Sequence, residues 1–222
     1  TVRYNAPLRD YNFLFYEVFD VLEITERLGY EGWDRDMIDM MIEEWAELMK
    51  TAWLPTNADG DKIGCTYQDG QIITPPSFQD AWSATVEGGW FAAAAKPEHG
   101  GMESPLFFRN AMDELAISCN MALSTVGALG LGVYDLISKH GAPELQEAYA
   151  PKVASGEWCG TMCLTEPHAG TDLGIIRTKA QPLEDGSFQI TGTKMFITFG
   201  EHDLSENIIH MVLAKLPDSP EG

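Results

Sequence analysis

Two short segments carry side chains whose types and spacing suit a flat cofactor that also bears phosphate. Residues 162–172 read M-C-L-T-E-P-H-A-G-T-D, and residues 192–198 read G-T-K-M-F-I-T. The first segment begins with a strand-like alternation and continues as a turn with Pro and Gly, whose backbone N–H groups are free to meet a phosphate. The second reads as a strand, so two strand ends bring the hydroxyls of Thr165 and Thr198 and the ring of Phe196 to one ring system. An isoalloxazine needs that combination of contacts.

Both segments resemble motifs of the acyl-CoA dehydrogenase family, in which a C-x-T-E-P-x-A-G-[ST]-D run is followed by a K-x-[WF]-I-T run. Phe196 stands where many members have Trp, and Thr171 stands where many have Ser. Neither change removes the chemistry. The resemblance implies FAD as the cofactor and the following binding residues: Met162, Cys163, Leu164, Thr165, Gly170, Thr171, Phe196, Ile197 and Thr198.

The resemblance also implies a role for each part of this set. The backbone around Leu164 and Thr165 is expected to meet the pyrimidine edge of FAD, and the Thr171 hydroxyl to reach its pyrophosphate. Phe196 is expected to pack on the flavin ring, and Thr198 to hydrogen-bond near N5, where the hydride arrives. Threonine also favours strands and turns without any ligand, so the assignment depends on three threonines falling in two matched motifs.

Further segments extend the resemblance upstream. Residues 96–101 (K-P-E-H-G-G) resemble a Pro-Glu turn of the family, and residues 156–160 (G-E-W-C-G) resemble the segment that leads into the flavin strand. Residues 4–10 and 14–22 resemble the N-terminal extension of a larger subgroup. That subgroup includes methylthiopropanoyl-CoA dehydrogenase and broad-chain acyl-CoA dehydrogenases.

The composition of the chain limits the classes of molecule that it can bind. The 222 residues carry a formal net charge of −20, and such a surface repels a nucleic-acid backbone rather than releasing its counterions. The apolar stretch at 121–137 is interrupted by polar residues and glycines, so it falls short of the roughly 20 apolar residues of a membrane helix. Four cysteines without C-x-x-C spacing indicate reduced thiols and a cytoplasmic protein. We therefore expect neither a nucleic-acid nor a membrane partner.

Three other patterns are weaker than the flavin motifs. The acidic residues at 36–47 lack an E-x-x-H partner, which disfavours a carboxylate metal site. The glycines at 127–132 lie within a helical pattern and do not have the spacing of a dinucleotide fingerprint. Cys159 and Cys163 share a strand face, but no histidine joins them at ligand spacing, so packing is favoured over metal binding. The sequence predicts no metal.

The periodicity of the apolar residues changes near residue 155 and predicts an α+β chain. Residues 1–155 are expected to form an all-α helical bundle with a short hairpin near 64–74. Residues 156–222 are expected to form the first strands of an antiparallel β domain that carries the flavin motifs. The predicted helices span 11–27, 34–54, 77–87, 105–120, 122–139 and 143–155, and the predicted strands span 158–164, 175–182, 188–198 and 207–216. Gly29 is expected to end the first helix and Asp34 to cap the second. Asp69–Gly70 and Asp185–Gly186 are the expected hairpin turns.

The ends of the sequence lead to an expectation about completeness. It begins at Thr1 without an initiator methionine and stops at Gly222, just after a predicted strand. We expect a fragment in which strand 207–216 lies near an exposed or partner-covered sheet edge. The resemblance implies that the family's C-terminal helical bundle, which carries the catalytic glutamate, is absent. We therefore expect no catalytic residue in this chain, an inactive fragment when alone, and a homo-oligomer at full length.

The resemblance implies a reaction. It is the α,β-dehydrogenation of an acyl-CoA thioester to a 2-enoyl-CoA, with hydride transfer to flavin N5 and an electron-transfer flavoprotein as the acceptor. Two alternatives share the same motifs: an acyl-CoA oxidase, which passes electrons to oxygen, and a flavin-binding relative that does not dehydrogenate. Oxygen consumption during turnover separates the oxidase from the dehydrogenase.

Overall fold

The structure, a computed structural model, describes residues 3–220 as a helical bundle followed by short strands. The predicted α+β class, with an N-terminal helical region and a partial β domain, is confirmed. The helices are α1 Leu8–Asn12, α2 Val21–Leu28, α3 Arg35–Leu48, α4 Leu54–Ile63, α5 Pro76–Glu87, α6 Leu106–His140 and α7 Pro143–Ser155. The strands are β1 Thr66–Gln68, β2 Gln71–Ile73, β3 Trp158–Cys163, β4 Lys179–Pro182, β5 Phe188–Thr191 and β6 Asn207–Val212.

The helix predicted over residues 11–27 is two helices. α1 runs into a π-helical stretch, Phe13–Val18, and the chain then breaks at Asp20, which has φ 45°. Aspartate tolerates this left-handed conformation, and its carboxylate accepts the backbone N–H of Glu23 at 3.3 Å to begin α2. The apolar spacing continues across the break, so periodicity alone does not reveal it. Gly29, at φ 76°, ends α2 as predicted.

The helix predicted from Asp34 begins where expected but does not stop before Pro55. The Asp34 carboxylate caps α3 by accepting the backbone N–H of Met37 at 2.9 Å. A π-helical turn, Met49–Trp53, then joins α3 directly to α4. Pro55 lies in the first turn of α4 and does not end the helical path that continues from the π-helical turn.

The predicted hairpin is confirmed. β1 and β2 pair antiparallel, with Thr66 opposite Ile73. Asp69 (φ 51°) and Gly70 (φ 88°) both adopt the left-handed conformation that a two-residue hairpin turn requires.

The two helices predicted at 105–120 and 122–139 form the two halves of α6. The backbone of Asn120 is non-helical inside α6, with φ −154° and ψ 95°. Its side-chain oxygen accepts the backbone N–H of Leu123 at 3.0 Å and so caps the second half. By length and composition alone α6 could span a membrane, although core helices satisfy the same criteria, which makes this weak support for a membrane role.

Two apolar clusters hold the bundle together. The larger joins α3, α5 and the first half of α6, and the smaller joins the second half of α6 to α7. Two indoles of the larger cluster have buried hydrogen-bond partners, since Trp45 Nε1 donates to Met112 O and Trp53 Nε1 donates to Thr85 Oγ1, each at 2.9 Å. β3 lies directly against α6, because a Cβ added to Gly160 would approach Val133 Cγ2 to 2.5 Å.

The β region consists of two strand pairs. β4 and β5 pair antiparallel around Gly186 (φ 83°), as predicted. β3 and β6 pair in parallel, with Cys163 opposite Val212, which differs from the antiparallel pairing expected. The long connection between them contains β4 and β5, and only such a crossover allows parallel neighbours. Within the described residues β6 pairs with β3 alone. The predicted edge strand 207–216 is not free along its whole length, however, because Lys215 exchanges backbone hydrogen bonds with Thr178 and Ala180, each at 2.9 Å.

Candidate flavin site

The structure brings the two predicted motifs together. The backbone N–H of Met195 donates to Thr165 O at 2.9 Å, joining the middle of the second motif to the turn just after β3. The Nζ of Lys194 donates to Leu164 O, also at 2.9 Å. Residues 30 positions apart in the sequence are therefore neighbours, as the motifs require.

The second motif is not a strand, which corrects the strand predicted over 188–198. β5 ends at Thr191, and Phe196 (φ 59°) and Phe199 (φ 47°) have left-handed backbone. A bulky residue at positive φ is a strained conformation, which persists where the surrounding structure holds it and which clusters at functional sites. Phe196 is also 82% exposed. Its ring is thus presented outward from an irregular loop rather than from a pleated strand.

The other predicted binding residues differ in how deeply they are buried. Met162, Leu164, Thr165 and Ile197 are half-buried, whereas Gly170, Thr171 and Thr198 are exposed. A Cβ added to Gly170 would meet nothing within 4 Å, so its backbone is open to a ligand. Cys163 is the exception, because its side chain is buried on β3 and contributes packing.

Some backbone groups of the turn after β3 form hydrogen bonds within the turn itself. The N–H of Glu166 donates to Ala169 O at 2.8 Å, and the N–H of Ala169 donates back to Glu166 O at 3.1 Å. Asp172 Oδ1 accepts the N–H of Gly174 at 3.0 Å and starts a short 3-10 helix. The segment between these two internal bonds, Gly170 and Thr171, is exposed to solvent.

Sequence reasoning missed the buried carboxylate of Glu166. Its Oε2 accepts the backbone N–H of Arg177 at 2.6 Å, and its Oε1 accepts the N–H of Thr178 and the Nζ of Lys194, each at 2.9 Å. Burial alone raises the pKa of this carboxyl, but the hydrogen bonds from Thr178, Arg177 and Lys194 outweigh it and hold the pKa far below its usual range. Glu166 lies in the first motif and Lys194 in the second. The signal available in the sequence was an acidic residue in one motif and a basic residue in the other.

The loop after the second motif is anchored to the helical region. Asp203 Oδ1 accepts the N–H of Thr74 at 3.1 Å and its hydroxyl at 2.6 Å, and Asp203 Oδ2 accepts Gln79 Nε2 at 2.7 Å. The adjacent His202 is buried, and its Nδ1 accepts the backbone N–H of Leu204 at 3.1 Å. Burial lowers the pKa of His202, although Asp203 and Glu201 oppose the shift. The neutral ring is therefore the form that the fold holds.

An apolar cavity of about 200 Å³ lies between the helices and β3. Arg109 and Asp113 on α6 also line it, and burial raises the pKa of the Asp113 carboxyl, against the opposing effect of Arg109. Its apolar lining includes Trp45, Trp90, Phe91, Met112, Leu131 and Cys159.

The cysteines and other possible ligands do not form a metal site in the part of the chain that the structure describes. There, no group of three or more His, Cys, Asp or Glu side chains is arranged to hold a metal ion. All four cysteines are free thiols, and burial raises the pKa of Cys119 and of Cys159 to about 11.

Comparison with known proteins relates the chain to one family. Residues 63–157 match the family model described as acyl-CoA dehydrogenase, N-terminal domain. The chain is 37% identical over 219 residues to 3-methylmercaptopropionyl-CoA dehydrogenase of Ruegeria pomeroyi, covering 99% of this chain and 37% of that relative. It is 34% identical over 225 residues to the broad-specificity linear acyl-CoA dehydrogenase FadE5 of Mycobacterium tuberculosis, covering 99% of this chain and 35% of that relative.

A solved structure agrees on the fold. The FAD complex of an acyl-CoA dehydrogenase from Bacillus anthracis matches with a TM-score of 0.66 at 19% identity, over 84% of this chain and 30% of that one. The resemblance read from the motifs is therefore confirmed, since the chain is similar over 99% of its length to acyl-CoA dehydrogenases that include a 3-methylmercaptopropionyl-CoA dehydrogenase and a broad-specificity linear acyl-CoA dehydrogenase. It spans little more than a third of the length of these curated relatives.

Proposed function

We propose that this chain supplies the FAD-binding surface and part of the acyl pocket of an FAD-dependent acyl-CoA dehydrogenase. The observation that carries the proposal is the pairing of the two motifs through Met195 and Thr165, beside an outward-facing Phe196. The reaction is the α,β-dehydrogenation of an acyl-CoA thioester to a 2-enoyl-CoA. An electron-transfer flavoprotein is the proposed acceptor.

The exposed residues fit the parts of FAD. The open backbone at Gly170 and the hydroxyl of Thr171 suit the pyrophosphate, since small residues and free N–H groups accommodate phosphate oxygens. The ring of Phe196 offers an apolar face for the flavin, and the Thr198 hydroxyl offers a hydrogen bond at its edge. When bound, FAD supplies the hydride acceptor.

The chain's own residues contribute by binding and orientation. We assign the removal of the substrate's α-proton to a glutamate outside residues 1–222, because the resemblance places that base in the family's C-terminal helical bundle. Within this chain, orientation of the flavin edge by Thr165 and Thr198 is the contribution to the reaction. This division accords with a chain that spans little more than a third of its relatives.

The apolar cavity is the proposed site for the acyl chain. Its walls come from α6 and from β3, the strand that leads into the first motif, so the cavity and the flavin surface share a structural element. The lining is mostly aromatic and aliphatic, which suits a hydrocarbon or thioether chain better than the polyanionic CoA.

The test is a visible spectrum of the purified chain titrated with FAD under anaerobic conditions. We expect saturable binding with a shifted flavin absorption band, because the ring leaves water for the surface at Phe196. Addition of 3-methylthiopropanoyl-CoA or propanoyl-CoA is expected to leave the flavin oxidised when the chain is alone, since the base lies elsewhere. Absence of any saturable FAD binding would overturn the proposal.

A further inference from the structure

We infer that Lys194 and Glu166 are positioning residues that hold the two flavin motifs at one fixed spacing. This inference rests on the proposed function only in placing FAD against those motifs. The pairing itself is a property of the chain and is measurable without cofactor.

Three consecutive residues of the first motif are tied to two consecutive residues of the second. Leu164 O accepts from Lys194 Nζ, Thr165 O accepts from Met195 N, and Glu166 Oε1 accepts from Lys194 Nζ, each at 2.9 Å. The Lys194 ammonium thus donates to the residues before and after Thr165, and Thr165 itself accepts the backbone N–H of Met195. Motion of either motif along the other would break all three contacts together.

Both charged side chains are shielded from water, and the Glu166 carboxylate has His168 Nε2 3.6 Å away besides its hydrogen-bond donors. The side chains of Glu166 and Lys194 are 2% and 10% exposed, so water does not replace either partner if the pair opens. Removing one member of a buried pair leaves an uncompensated charge, which makes such pairs sensitive to single substitutions. Because separating the buried pair is costly, the pair holds the two motifs in one register.

A third segment is included in the same arrangement. Glu166 also binds the backbone N–H groups of Arg177 and Thr178, just before β4. A Cβ added at Gly192 would approach Thr178 Oγ1 to 2.2 Å, so the start of the second motif lies directly against that segment. Residues 164–166, 177–178 and 192–195 therefore form one packed unit around a buried carboxylate.

The location of this unit explains why we assign it to cofactor positioning. Phe196 is 82% exposed, so packing of its own side chain does not fix its place. Its backbone follows immediately after Lys194 and Met195, both of which are bonded to the first motif. The ties at 194 and 195 thus determine where Phe196 and Thr198 stand relative to Thr165.

The experiment compares three variants of the chain. Lys194→Met removes the ammonium, and the double variant E166Q/K194M removes both charges and leaves no unpaired buried ion. Lys215→Met is the matched control, because Lys215 Nζ also donates to a backbone carbonyl, Gly174 O at 2.6 Å, but does not bind the Glu166 carboxylate. Melting temperature, hydrogen exchange of the Met195 amide, and FAD affinity are measured on each.

We expect both Lys194 variants to lose protection of the Met195 amide by about tenfold or more and to bind FAD about tenfold more weakly, while K215M keeps both. The double variant is expected to remain folded, since it carries no buried unpaired charge. Retained protection in a folded double variant would overturn the inference.

Cofactor binding separates this inference from the proposed function. If amide protection is lost but FAD affinity is unchanged, the positioning role is wrong while the flavin site stands. If the wild-type chain binds no FAD, the proposed function fails and the positioning role fails with it, although hydrogen exchange still reports whether the two motifs are tied.

Discussion

The side-chain amide of Asn120 donates a hydrogen bond to Thr56 Oγ1 at 2.7 Å and joins α4 to the break in α6. The same side chain accepts the backbone N–H of Leu123. One buried residue therefore lies at the end of the first half of α6 and caps the second half. Through this break the second half of α6 gains its own orientation against β3 and the cavity.

Asn120→Ala should lower the free energy of unfolding by about 1–3 kcal/mol. The substitution removes the helix cap at Leu123 and leaves the buried Thr56 hydroxyl with one partner fewer. Thermal or urea unfolding checks the prediction. Thr125→Ala on the same helix is the control, since its exposed hydroxyl bonds only locally to Ala122 O, and a comparable loss in both variants would contradict a special role for Asn120.

Gly160→Ala should destabilise the contact of β3 with α6. The new methyl group would lie 2.5 Å from Val133 Cγ2 and 2.6 Å from Val133 Cβ, and overpacking of this kind costs about 1–3 kcal/mol. Denaturant unfolding provides the measurement. The double variant G160A/V133A should recover part of the loss, because the smaller side chain makes room for the methyl group.

Gly132→Ala is the matched control for that prediction. Gly132 lies in α6, and a Cβ there would meet nothing within 4 Å. Alanine in a helix interior is favoured over glycine by about 0.5–1 kcal/mol, so this variant should be at least as stable as the wild type. Equal destabilisation of the Gly132 and Gly160 variants would show that the contact with Val133 is not the cause.

The elements that sequence predicted well are those whose signal is local. Asp34 as a cap, Gly29 as a helix end and Asp69–Gly70 as a hairpin turn each depend on a few neighbouring residues, and each is confirmed. The two motifs were also found from sequence, because their residues form contiguous runs. Their function as FAD contacts stays a prediction.

The elements that sequence missed depend on contacts between distant segments. The loop at 192–199 has the composition of a strand, yet Lys194 and Met195 hydrogen-bond to the segment just after β3, and Phe196 adopts a positive φ. The carboxylate of Glu166 reads as an ordinary turn residue until the chain places Thr178 and Lys194 around it. The parallel pairing of β3 with β6 likewise depends on the whole crossover between them. The secondary-structure propensities of individual residues do not contain information about such long-range contacts.

Thr198→Val should weaken FAD binding by about fivefold and leave the fold intact. The swap removes one exposed hydroxyl and little volume, and a typical hydrogen bond contributes about 1 kcal/mol. Flavin fluorescence during titration measures the affinity, and circular dichroism checks the fold. Thr193→Val is the control, because Thr193 is exposed in the same segment but is not assigned to the cofactor. Equal affinities for all three proteins would remove Thr198 from the site.

His202 should make the fold sensitive to mild acid. Burial lowers its pKa in the folded chain, so the unfolded chain takes up a proton first as the pH falls. The stabilising contribution is therefore complete above the unfolded pKa, about 6.5, and is lost as the pH falls through the lower folded value. The acidic neighbours Glu201 and Asp203 reduce this effect without reversing it.

His202→Asn isolates that contribution, because the amide oxygen can still accept the N–H of Leu204 but does not titrate in this range. Urea unfolding of the wild type at pH 7.5 and pH 5.5 should show a larger loss of stability than the variant shows over the same interval. The control is His140→Asn, an exposed histidine at the end of α6, whose pH dependence should follow the wild type. If the His202 variant loses as much stability as the wild type between the two pH values, the acid sensitivity belongs to other groups, and His202 only packs against Phe199, whose ring centroid lies 5.8 Å away.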